Sequence, residues 1–286
     1  ANVMLWPYEE HFRVPPSPLS RCEVPCVFLP PSPNLLSSAD AVLIHIPSLN
    51  ETAPSLPRFT SQKSAKWVYY TQESEDNYPL QADPMFRHFF KLTMTHLLTS
   101  NVPITYADRP LRAGFSYDTP PPDKQRPLMT VSVIRNCNSH TNRTEYLREL
   151  ARHTPIDHYG TCLNSRPPPA PPREWRRMYG EAKMRLLGTY HFCVAFENSR
   201  RQDYLTEKVF QALAAGCVPL YLGAPSARSL LPANSALFAD DFKTPRDLAL
   251  HMEELVASGG YWDMLAWKRR RKEVAKLEKL RRMGSD

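Results

Sequence analysis

The chain has 286 residues, 42% of them hydrophobic, enough to bury one large core or two ordinary ones. Its formal charge is +7, but residues 268–283, KRRRKEVAKLEKLRRM, hold nine basic and two acidic side chains and so carry the whole excess. The neutral remainder argues against a nucleic-acid partner, and the tail reads as a solvated basic helix. No apolar run reaches the roughly 18 residues of a membrane-spanning helix, so membrane attachment would need an anchor absent from this chain.

The 29 prolines and nine glycines are unevenly spread, and the prolines gather in runs such as VPPSP, TPPPDKQRP and RPPPAPP. Such runs read as stiff loops and spacers. The first third shows a short apolar strand, ADAVLIHI (39–46), and an aromatic one, AKWVYYTQE (65–73). MFRHFFKLTMTHLL (85–98) fits helix or strand. His45, His96 and His191 read as core histidines. The run from Pro120 to Pro127 is the expected domain boundary.

Beyond it the pattern sharpens. LMTVSVI (128–134) alternates and is β-branched, a strand. Asn142 and Glu145 predict a capping box ahead of a helix over 143–153 with Tyr146, Leu147 and Leu150 on one face. PIDHYG reads as a strand. A helix over 174–187, with Trp175, Met178 and Met184 facing the core, leads to a strand over 190–196. A helix over 206–215 stops at Gly216, and the strand CVPLYL follows. Thr244-Pro245-Arg246-Asp247 opens a further capped helix. Strands alternating with helices predict a parallel sheet covered on both faces, a Rossmann-like half.

Six cysteines stand at 22, 26, 137, 162, 193 and 217. They form no CxxC pair, and Cys22 and Cys26 have no histidine partners, so zinc is not expected. Cys193 and Cys217 lie in apolar runs and read as small buried hydrophobes. The other four could form disulfides in a secreted protein, a reading that the sequons at Asn50 and Asn142 permit. Asp240-Asp241 reads as structural rather than metal-binding.

Parallel sheets bind ligands at the carboxyl ends of their strands. FENSRRQDYLTEK falls at such an end, with Thr206 as the expected N-cap and Glu207 and Lys208 in the first helical turn. A helix start offers free N–H groups and partial positive charge, which suits phosphate. Lys208 adds a full charge there, and Glu207 has two oxygens for a vicinal diol such as ribose. Arg143, at another helix start, could reach the same phosphates. The plainer alternative is that Glu207 and Lys208 only decorate a helix end; neither GxGxxG nor GxxxxGK[ST] is present.

FCVAFENSRRQDYLTEKVFQALAAGCVPLYLGAP resembles the signature of the α1,3-fucosyltransferases, glycosyltransferase family 10. SVIRNCNSHTNRTEYLRELARHTPIDHYGTC resembles the opening of that family's donor domain, and WVYYTQESEDNY its catalytic-base segment. The likeness spans most of residues 39–268, more loosely in the first half. It implies an α/β protein of GT-B fold, two Rossmann-like domains facing across a cleft. These would be an acceptor-side domain over 1–122, a GDP-fucose-binding domain over 123–268 and a basic C-terminal helix or tail over 269–286. It implies inverting, metal-independent transfer of L-fucose from GDP-fucose to a glycoprotein glycan, α1,3 to N-acetylglucosamine, with no cofactor. Alternatives are protein O-fucosyl transfer, or a catalytically silent GDP-sugar-binding protein.

By motif, Arg143 and Lys208 would hold the diphosphate, Glu207 the ribose, and Tyr204 the phosphate–fucose region. Asn198 would shape the donor pocket, and Tyr159 would lie beside the guanine. Glu73 would be the general base. The family often shows Glu-Ser-Pro there; Glu73-Ser74-Glu75 lacks the proline, which leaves Glu75 as second choice. A glycan on Asn142 would obstruct the donor, so that sequon is expected to be unmodified. The resemblance also implies the Golgi or ER lumen, as the soluble part of a single-pass type II membrane protein.

Overall fold

The computed structural model describes residues 1–6, 24–29, 32–49, 65–124, 130–167 and 180–283. The chain divides into two units, Ala1–Ile104 and Thr105–Asp286. In the first, strands β1 (Asn2–Trp6), β2 (Val27–Leu29), β3 (Ala41–His45), β4 (Lys66–Thr71), β5 (Leu92–Thr95) and β6 (Val102–Pro103) form one sheet in the order β2-β1-β3-β4-β5-β6. Every pairing in it is parallel. The core collects Met4, Val42, Ile44, Tyr69 and Phe86. The ambiguous run 85–98 resolves as the one-turn helix α1 (Pro84–Arg87) followed by β5. Asp83 caps that turn, accepting from the N–H groups of Met85 and Phe86.

The second unit holds strands β7 (Thr130–Val133), β8 (Ile156–Tyr159), β9 (Phe192–Phe196), β10 (Val218–Leu222) and β11 (Leu237–Phe238). Their order is β11-β10-β9-β7-β8, again all parallel. Its helices are α2 (Arg109–Arg112), α3 (Arg143–Leu150), α4 (Glu181–Gly188), α5 (Glu207–Ala215), α6 (Ala227–Leu230), α7 (Pro245–Ser258), α8 (Gly260–Asp263) and α9 (Arg271–Arg282). Every residue of β9 and β10 is buried, which explains their unbroken apolar sequences: both sheet faces are covered. Gly216 ends α5 in the left-handed region (φ 73°), and a Cβ there would stand 2.8 Å from Pro121. Thr244 and Asp247 form the expected capping box of α7.

Three expectations give way. The proline-rich run lies inside the second unit, because the segment before it packs there. Tyr117 Oη donates to Ala107 O (2.6 Å), and the buried Lys268 Nζ donates to Tyr117 O (2.9 Å). Asn142 precedes α3 but has a left-handed backbone (φ 53°) and makes no side-chain cap; Glu145 pairs with Arg148 instead. Cys193 and Cys217 are buried, as expected, but joined: β9 and the entry to β10 lie side by side, and the two cysteines form a disulfide with 5.9 Å between Cα atoms. Cys137–Cys162 is a second disulfide, and among the described residues Cys26 is free. Cys22, Asn50, Trp175 and Met178 lie outside the described residues, as does the start of the expected helix over 174–187.

Candidate functional site

Numbering the second unit's strands in its own chain order, from β7, gives a sheet order of 2-1-3-4-5. In such a sheet the crossovers reverse direction between the first and third strands, here β7 and β9, and a crevice opens at their carboxyl ends. The loop after β7 leads to Arg143, and the loop after β9 leads to Glu207 and Lys208. The topology therefore brings the three residues to one sheet edge.

Arg143 is almost fully buried. Its Nη1 donates to Phe196 O, the last carbonyl of β9 (3.0 Å), and its Nη2 to Asn136 O, in the loop after β7 (2.7 Å). The guanidinium thus ties together the two strand ends that flank the crevice. Its buried Nε–H has no partner among the described residues. Burial lowers the Arg143 pKa, and the charges of Glu197 and Glu207 oppose that shift.

Lys208 is held on the other side by Glu197, a fully buried carboxylate. Glu197 Oε1 accepts from Thr206 N (2.7 Å); its Oε2 accepts from Thr206 Oγ1 (2.7 Å) and Lys208 Nζ (3.0 Å). Thr206 precedes α5 as expected, yet its hydroxyl serves Glu197 rather than capping the helix. Burial disfavours the Lys208 ammonium, but Glu197 and Glu207 outweigh it and raise its pKa. Glu207 Oε1 lies 3.7 Å from Lys208 Nζ. Burial would neutralise Glu207, but Lys208 and Lys183 hold its pKa down at about 2, so it is an anion with acceptor oxygens throughout the physiological range. Arg143 and Lys208 feel each other's charge; the two cations share one electrostatic neighbourhood.

Gly223 follows β10 where no side chain fits: a Cβ would meet Tyr221 Oη at 2.5 Å and Glu197 Cγ at 2.8 Å. Tyr204 is buried near Arg143. Asn198 is half-buried, with an amide oxygen that has no partner among the described residues. Tyr159 ends β8 and turns inward: its hydroxyl lies 3.2 Å from Tyr190 Oη, which donates to Asp157. Asp240 and Asp241 pair with Arg200 and Arg228. Among the described residues no group of three His, Cys, Asp or Glu could hold a metal ion.

Glu73 and Glu75 belong to the first unit, just past β4. Thr71 Oγ1 accepts from Glu73 N (3.0 Å) and from the buried Gln81 Nε2 (3.1 Å), fixing the turn that carries Glu73. Glu75 pairs with Arg87 at 2.8 Å. A pocket of about 140 Å³ opens beside this segment, with Tyr69, Arg87, Phe90 and Thr95 among its walls.

Sequence reasoning assigned no role to Glu197 or Lys183. Glu197 carried a signal, a carboxylate directly after five buried strand residues. Lys183 carried a weaker one, a charge beside Met184 on the apolar face of α4; both are buried.

The fucosyltransferase N-terminal domain matches residues 2–107, and the glycosyltransferase family 10 (fucosyltransferase) C-terminal domain matches 123–284. The chain belongs to glycosyltransferase family 10. It is 31% identical to alpha-(1,3)-fucosyltransferase B of Drosophila melanogaster over 66% of this chain and 45% of the relative. It is 34% identical to GDP-fucose protein O-fucosyltransferase 3 of Gallus gallus over 71% and 44%, and 30% identical to alpha-(1,3)-fucosyltransferase 7 of Mus musculus over 94% and 66%. It thus spans less than half the length of the first two. A crystal structure of an alpha1,3-fucosyltransferase superposes on the whole chain and 90% of its own, with a TM-score of 0.69 at 18% identity. The GT-B fold expected for this family 10 chain is the fold it has.

Proposed function

We propose that this chain is the catalytic part of an inverting fucosyltransferase that takes L-fucose from GDP-fucose without a metal ion. The observation that carries the reading is that Arg143 and Lys208 come into one electrostatic neighbourhood at the β7–β9 crevice, by the start of α5. A related structure was solved with GDP-fucose, and this crevice has the chemistry to hold that donor. The cations would neutralise the departing diphosphate, the task a metal performs in other transferases. Glu207 would accept from the ribose hydroxyls, and Asn198 and Tyr204 would line the sugar side. Tyr159, with its hydroxyl engaged in the core, would contribute ring edge to the base pocket rather than a hydrogen bond.

On the acceptor side Glu73 is the proposed base, because it closely follows the aromatic strand that resembles the family's base segment, with Glu75 as second choice. Direct displacement breaks the anomeric C–O bond to the diphosphate as the acceptor oxygen bonds to that carbon and its proton passes to Glu73. The two disulfides favour an oxidising compartment, the ER or Golgi lumen. The acceptor is a glycan on a glycoprotein, N-acetylglucosamine being the expected site. Similarity to protein O-fucosyltransferase 3 supports a second reading, a hydroxyl of the polypeptide itself.

GDP release measured with EDTA present, across glycan and peptide acceptors, tests the proposal and separates the two readings. Arg143→Ala and Lys208→Ala are each expected to lower the rate by about two to three decades, and Glu73→Gln by a similar factor. Turnover that is absent with every acceptor, or unchanged in Arg143→Ala and Lys208→Ala, overturns the donor reading. Normal turnover by Glu73→Gln overturns only the base.

A further inference from the structure

Near the crevice the second unit has a buried cation that the proposed mechanism does not use. Lys183 lies in the first turn of α4, with only 4% of its surface exposed. Helix α4 packs along α5, and Lys183 senses charge from every side of the site. Glu207 and Lys208 act on it from the start of α5, Glu197 from the end of β9, and Arg135 from the loop after β7. Its neighbours on α4, Glu181 and Arg185, pair with each other at the surface. Lys183 is one of the two cations that keep Glu207 ionised.

We propose that Lys183 is a positioning residue for the donor: from behind the start of α5 it attracts the Glu207 carboxylate and adds a further positive charge beneath the diphosphate. The inference rests on the donor reading above. With Lys183 the cluster has four cations, Arg135, Arg143, Lys183 and Lys208, against two carboxylates, Glu197 and Glu207; without it the surplus that meets the anionic donor is halved.

The lysine also gives the site a pH dependence of its own. Burial brings its pKa down to about 8, against the pull of Glu207. Lys208 is shifted the other way, and a buried guanidinium such as that of Arg143 stays charged far above this range. Lys183 is therefore the group of this cluster that titrates near pH 8. A bound diphosphate favours its charged form, so above about pH 8 GDP binding must draw a proton onto Lys183. Affinity then falls as pH rises, by at most about tenfold per pH unit for one proton.

Calorimetry of GDP binding to the whole chain, at pH 7.5 and 9 and in buffers of different ionisation enthalpy, tests this. Phosphate's own second ionisation, near pH 6, is complete in that range. The wild-type protein is expected to take up a proton at pH 9 and little at pH 7.5. Lys183→Met is expected to abolish the uptake and raise KM for GDP-fucose about tenfold, with a smaller change in kcat. Lys183→Arg is expected to restore affinity but not the proton uptake, because a guanidinium does not titrate there. If the methionine variant fails to fold, the wild-type and arginine results decide. Wild-type binding with no proton uptake at pH 9, uptake retained in Lys183→Arg, or Lys183→Met binding like wild type overturns the inference and leaves the donor reading standing. No GDP binding by the wild-type chain overturns both.

Discussion

Glu197 organises the charges around it. Its two oxygens accept from the Thr206 amide, the Thr206 hydroxyl and the Lys208 ammonium, so a single carboxylate fixes where α5 begins and where its lysine stands. A buried ion pair is weak evidence for net stability, but removing one partner strands the other. Glu197→Ala is expected to cost about 3 kcal/mol of stability, read as a lowered denaturation midpoint, and to weaken GDP binding although Glu197 is buried beneath the site. Unchanged stability would show that Lys208 needs no such anchor. The places of Arg143, Glu207 and Lys208 at helix starts were legible in the sequence because helix starts after apolar strands are local patterns. Glu197 and Lys183 were not, because their roles depend on which strand end meets which helix face. Asn142 misled for a related reason: the Asn-x-x-Glu spacing is that of a capping box, but a left-handed backbone turns its side chain out of reach.

Among the elements, α4 and α5 share a device at their far ends. Lys124 Nζ donates to Gly188 O (3.0 Å) and Gly216 O (2.6 Å), placing one cation on the terminal carbonyls of two helices, where the helix dipoles favour positive charge. Burial, reinforced by the nearby Lys268 charge, lowers the Lys124 pKa to about 8 from 10.5. Above pH 8 the folded chain releases this proton while the unfolded chain still holds it, so folding gains stability as pH climbs from 8 towards 10.5. The melting temperature of the wild type is expected to rise relative to that of Lys124→Met across that window, and a constant difference would refute it. The sequence showed α5 and its Gly216 stop, but not this shared cap, since Lys124 sits inside the proline-rich run read as a domain boundary. In the first unit the 85–98 run stayed ambiguous because a one-turn helix and a four-residue strand fit within a single apolar stretch.

At the level of the whole chain, the tail's charge count misrepresents its structure. Helix α9 buries Leu277 and Leu280 in the second unit. Arg270 and Lys276 donate to the carbonyls of Ala233 and Leu231, and Thr105 Oγ1 donates to Leu280 O (2.7 Å). Part of the basic run is thus the clasp of a domain. Burying two leucines is worth a few kcal/mol, so truncation before Arg271 is expected to lower the melting temperature by roughly 10 °C; a smaller loss than about 2 °C would mark the helix as dispensable. The second parallel sheet was readable because its strands are mostly buried and alternate with helices. The first was readable only in pieces, since its strands are short, lie far apart in sequence and are separated by proline-rich stretches with no period. The bonds Cys137–Cys162 and Cys193–Cys217 have a practical consequence for anyone producing the protein. A bacterial cytoplasm would keep these thiols reduced, so material for the tests above should come from a secreting host, with its sulfur pairing checked by mass spectrometry before any loss of turnover is blamed on a substitution.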